Sequence, residues 1–156
     1  MYSIDFHSIF SSSFDTFRIF DNLSIKQASV TPEDTPKSIW QILNHLVVFQ
    51  NRQLEQLFTN NYSEVLEGES WLVEPEVNSQ PQLNELVKYF YRQILQVQQL
   101  IDALTLETPL LARKLKLIQE MSTHLSFHLG EIVLIRRQMK NYPWPDEMKA
   151  FFAKEG

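Results

Sequence analysis

The sequence predicts an all-α protein, a four-helix bundle with long helix–helix connections, on three observations. Apolar residues recur at spacings of three and four along four long segments. No run alternates apolar and polar residues in the way of a half-buried strand. The composition, 44% hydrophobic with 11 Phe and only 3 Gly in 156 residues, is that of an ordinary globular chain and not of a disordered one. That length fits one domain, residues 1–156, with a substantial core.

The first helix is expected over residues 5–21, where Phe6, Phe10, Phe14 and Phe17 form an aromatic stripe directed at the core. His7 lies about 100° off that stripe and reads as a surface histidine in preference to a fourth metal ligand. Residues 24–37 carry Pro32 and Pro36 among Thr, Ser and Asp and read as a connection. The second helix starts after Ser38, which forms a capping box with Gln41, and its apolar arc runs from Ile39 to Leu57. His45 falls at the edge of this arc, a place that suits a ligand open to solvent on one side. Residues 60–81 are acidic and broken by Gly68, Pro75 and Pro81, giving a long loop of the kind that often carries function. Trp71 within it is read as a plug on the bundle side in preference to a lid.

The third helix is expected over residues 82–106, with Leu83, Leu86, Val87, Phe90, Ile94, Val97, Leu100 and Leu104 on one face. The last begins between Pro109 and Ile118, leaving ARKLKLI as a candidate extended piece, and continues to about Asn141. Gly130 inside it costs about 1 kcal/mol relative to Ala, so it is expected to allow the close approach of a neighbouring helix, with a tolerated neutral glycine as the alternative. The tail after Pro145 is short, with Phe151 and Phe152 free to dock on the bundle or on a second subunit.

Three histidines carry the chemistry. His124 and His128 are one turn apart on the last helix, so their rings converge in front of one face. They share the central apolar sector with Leu117, Met121, Ile135 and Met139. A buried imidazole without a partner loses about 1–3 kcal/mol, and His45 from a facing helix would complete a tripod. Three neutral nitrogen donors with open positions suit zinc or a similar divalent ion. A zinc-protease helix needs Glu directly after its first His, and that position is Leu125. Glu131, the nearest carboxylate, is read as a solvated flank, with the orienting of an imidazole as its alternative role.

The absence of cysteine removes disulfides, thiolate ligands and a cysteine nucleophile together. Net charge is −5 and the basic residues are scattered, which opposes a nucleic-acid partner. The N-terminus lacks a signal-peptide pattern and no stretch reaches the about 18 apolar residues of a membrane span, so the expected address is cytoplasmic, with no membrane partner.

Two windows, PKSIWQILNHLVVFQ and HLSFHLGEIVLIRRQMKNYPWP, carry a resemblance to the DinB/YfiT-like superfamily of metal-binding four-helix bundles. His45 stands in the place of that family's first histidine, His124 and His128 in those of the second and third, and Gly130, Ile132, Arg136 and Arg137 match the stretch that follows. The passage around residues 105–115 is shorter than in many relatives. The resemblance implies a divalent ion, nickel or zinc first and manganese or iron after them, on His45, His124 and His128. It also implies a small-molecule substrate and, in some members, a small-molecule thiol. The leading expectation is therefore a metal-dependent thiol S-transferase or hydrolase in which the activated nucleophile is a water or a thiol. The competing one is a non-catalytic helical bundle, dimeric through its aromatic surfaces, with an incidental or structural metal. A homodimer is the expected assembly.

Overall fold

A computed structural model describes residues 5–7, 15–62 and 67–153. Among them the protein is all-helical, with no strand: α1 is Ile25–Ser29, α2 Ile39–Thr59, α3 Gln80–Asp102, α4 Leu111–Gln138 and α5 Met148–Ala153, with a 3₁₀ turn at Glu67–Trp71. The long helices α3 and α4 and the 3₁₀ turn all pack on α2, so α2 is the axis of the bundle. No helix among the described residues is long and apolar enough to cross a membrane.

The start of α2 follows its sequence. Ser38 accepts from the Gln41 N–H while the Gln41 side chain accepts from the Ser38 N–H, which satisfies two donors that helix geometry leaves orphaned. Ile39, Ile42, Leu43, Leu46, Leu54 and Leu57 then face the core. α3 contributes Leu83, Phe90, Val97 and Ile101, and α4 contributes Ile118, Met121, Leu125, Ile132 and Ile135. Between α2 and α3 the interior is also polar: the Gln93 amide donates to Val47 O and Asn51 Oδ1 at 2.8 Å and accepts from Gln50 at 3.0 Å.

Several expectations are corrected. The first helix does not reach Asp21. Phe6 and His7 are helical, but residues 17–22 form turns, with Phe17, Arg18 and Asn22 in the left-handed region at φ 52°, 54° and 55°. Asp15 accepts from the Phe17 N–H at 2.8 Å, a local side-chain bond that competes with helix. Phe17 is consequently half-exposed, packing on Phe152, while Ile19 and Phe20 enter the core instead. Phe6 is buried; Phe10 and Phe14 lie outside the described residues. The expected connection over 24–37 contains α1, opened by a Ser24–Gln27 capping box. α3 starts at Gln80, because Ser79 caps it and Pro81 fits its first turn, and it ends at Asp102, before a turn in which Thr108 Oγ1 accepts from the Thr105 N–H. ARKLKLI is helical. A Cβ at Gly130 would meet nothing within 4 Å, so no helix approaches it closely. Phe151 docks on this chain, against Tyr142 and beneath the Arg18 guanidinium.

Arg136, near the end of α4, is buried to 3% exposure. Its guanidinium donates to the carbonyls of Ile19, Asp21 and Asn141 and to Asn141 Oδ1. A planar fork of five donors meets such a spread of acceptors where an ammonium cannot. Burial lowers its pKa, with Tyr142 and Asp21 acting in the opposite direction. Tyr142 adds a bond from its hydroxyl to Phe17 O at 2.7 Å. These contacts hold residues 17–22 and the chain after α4 to one point. Replacing Arg136 by Met is expected to destabilise the fold by about 2–4 kcal/mol in urea unfolding, since several buried carbonyls lose their donor. Lys at the same position should recover less than half of that.

Candidate metal centre

α2 and α4 face each other at the level of His45. One turn of α4 presents His124 and His128 to it, and the three rings cluster with centroids 4.6–5.0 Å apart. One nitrogen from each lies within 4.8 Å of the others. His45 Nε2 and His124 Nε2 are 2.9 Å apart.

The surroundings of the three rings differ. His45 is fully buried, not open on one side as its place on the helical wheel implies. The reason lies outside α2: the 3₁₀ turn folds over it, Trp71 stacks on the ring at 3.8 Å and 9°, and Ser70 Oγ sits 2.6 Å from Nδ1. Trp71 therefore occupies the bundle side, as a plug. His128 is also buried, flanked by Phe127 and Trp71. His124 is half-buried and stacked on Phe49 at 4.2 Å. Beside it a groove of about 560 Å³, lined by Lys116, Gln119, Glu120, Thr123, His124 and Phe127, opens to solvent. The tripod is thus roofed by aromatic rings on two sides and approachable on the third.

Glu131 departs from its expected solvated flank. Its Oε2 lies 2.5 Å from His128 Nδ1, a separation that the i,i+3 spacing from His128 makes available. A carboxylate oxygen at that distance accepts from an Nδ1–H, which leaves Nε2 as the acceptor of the ring. Burial, with the neighbouring His128 and His124 rings, pushes the pKa of His45 down to about 3. Burial and then His128 push His124 down to about 4. Both are neutral at neutral pH, which is the ligating form of imidazole.

The donor set consists of imidazole nitrogens without thiolate, which matches borderline divalent ions such as zinc and nickel better than magnesium or calcium. Two adjacent nitrogen lone pairs cannot satisfy each other without a proton or a cation between them. On both grounds His45, His124 and His128 could hold one divalent ion. His7 is engaged elsewhere: its exposed ring is 2.6 Å from Asp102, whose hydrogen bond raises its pKa. Ser70 and Phe49 have no signal in the sequence, whereas Glu131 takes the alternative role read for it, beside an imidazole.

A family model described as the DinB superfamily matches residues 15–132. No curated protein and no solved structure matches the chain.

The depressed histidines fix a pH dependence. Free imidazoles take up protons near 6.5, whereas His45 and His124 in the fold resist protonation until about 3 and 4. Between those limits the unfolded chain binds more protons, so stability is full above pH 6.5 and declines as pH falls below it. Unfolding of chelator-treated protein at pH 8, 6 and 5 should show this decline, and His45→Leu should flatten it.

Proposed function

The chain belongs to the DinB superfamily, and from that premise we propose that it is a metal-dependent enzyme acting on a small molecule, with His45, His124 and His128 as the ligands of one divalent ion. The single observation that carries this reading is the convergence of three imidazoles, two of them held neutral, between α2 and α4. Nickel and zinc suit the nitrogen donors best, with manganese or iron as the other candidates. Bound there, such an ion lowers the pKa of a coordinated water or thiol and supplies a nucleophile at neutral pH without a nucleophilic side chain.

The protein's own residues supply the rest. Glu131 orients His128 and keeps its Nδ1 protonated. Trp71 and Phe49 stack on the His45 and His124 rings, which keeps water from those ring faces and strengthens electrostatic interactions beside them. The groove beside His124 offers the route for a substrate, with the apolar Phe127 and the cationic Lys116 both in its lining. The chain has no cysteine, so thiol chemistry draws its sulfur from a small-molecule thiol. The reaction class that follows is transfer of that thiol to an electrophile, or hydrolysis of a small ester or amide.

Elemental analysis of protein purified without an affinity tag tests the premise, with about one divalent ion per chain as the expected result. His128→Ala should abolish binding and keep a helical circular dichroism spectrum, because the apolar core holds the bundle without the ion; unfolding on chelation would mark a purely structural site. Glu131→Gln should weaken metal affinity by about 10–100-fold. A screen of thiols, esters and amides with the nickel, zinc and manganese forms should find a rate that rises with pH. Rates equal to those of His128→Ala for every combination would remove the enzymatic reading.

A further inference from the structure

His45 is the single histidine that α2 contributes to the tripod, and an imidazole can offer either ring nitrogen. Its helix does not decide which. The deciding contacts come from the 3₁₀ turn: Ser70, only 2% exposed, places Oγ 2.6 Å from Nδ1, and Nε2 is left facing His124 Nε2 at 2.9 Å. Trp71, the next residue, stacks on the same ring at 3.8 Å and 9°, which opposes its rotation. The turn is tied to α2 by an Arg52–Glu69 ion pair at 2.7 Å, and the chain just after it by the Gln41 amide, which donates to Val73 O at 2.8 Å.

Resting on the metal reading above, we propose that Ser70 is a positioning residue: its hydroxyl oxygen accepts a hydrogen bond from the Nδ1–H of His45 and so commits Nε2, with its lone pair, to the ion. Ser70 then does for His45 what Glu131 does for His128, with a neutral oxygen in place of a charged one. The loop between α2 and α3 is in this sense part of the centre, although it contributes no ligand. A hydroxyl suits this ring better than a carboxylate, because Ser70 is nearly sealed from solvent while the Glu131 side chain keeps 32% of its exposure, and a buried carboxylate is costly.

Zinc affinity measured against a competing chelator tests this with three proteins. The wild type should bind, Ser70→Ala should bind about 10–100-fold more weakly with unchanged helical content, and Glu69→Ala should lose less than about fivefold, the scale of an exposed ion pair. Affinity of Ser70→Ala equal to wild type overturns the inference and leaves the metal reading standing. An equal loss in Glu69→Ala overturns it as well, since the turn would then act only as a scaffold. A wild type that binds no zinc, nickel or manganese removes the metal reading and this inference together. If Ser70→Ala does not fold, nitrogen NMR of the zinc-loaded wild type decides alone: His45 should be ligated through Nε2 with a proton on Nδ1, and ligation through Nδ1 overturns the proposal.

Discussion

A polar group taken out of water must find a partner, and α2 carries that constraint through the middle of the molecule. Its buried face holds Gln41, His45 and Gln50 among leucines and isoleucines, and each leaving water unpaired would cost about 1–3 kcal/mol. The partners come from different parts of the chain. Gln50 meets Gln93 on α3, His45 meets Ser70 and the histidines of α4, and Gln41 reaches Val73 after the 3₁₀ turn. Apolar burial drives the helices together without specifying direction. These polar contacts set which residue of one helix stands opposite which residue of the next.

The same logic joins the residues before α1 to those after α4. Arg136 gathers carbonyls from the turn before α1 and from the residues after α4, and Tyr142 ties Phe17 to the same region. α4 is therefore fixed at this end by backbone acceptors, and farther along by Lys114, which donates to Leu57 O at the end of α2. The two histidines of α4 lie between these anchors. Side chains that ride on a doubly anchored helix are held more rigidly than those carried by loops alone.

Helical periodicity made the fold class and the long helices α2, α3 and α4 legible in the sequence, and the His124/His128 pair was legible from its spacing. Those signals are local, and they fail where a contact from a distant segment decides. The wheel placed His45 at an edge because it contains no information about residues 67–71, which bury it. Phe17 continues the stripe of Phe6, Phe10 and Phe14 in register, yet Asp15 and the claims of Arg136 and Tyr142 on nearby carbonyls draw residues 17–22 out of helix. Gly130 invited a packing explanation that the open space around it does not support. Glu131 was visible at the right spacing from His128, but spacing alone does not distinguish a carboxylate that turns inward from one that stays in water.

The stacking of Trp71 on His45 also gives the molecule an optical identity. Of its three tryptophans, Trp40 is buried in the core and Trp144 is half-exposed beyond α4, so Trp71 is the indole in van der Waals contact with an imidazole of the cluster. Its excited state samples the electron density of that ring directly. A change in the charge of that ring is therefore expected to alter the fluorescence of Trp71, and the state of the three-histidine cluster becomes observable without a label.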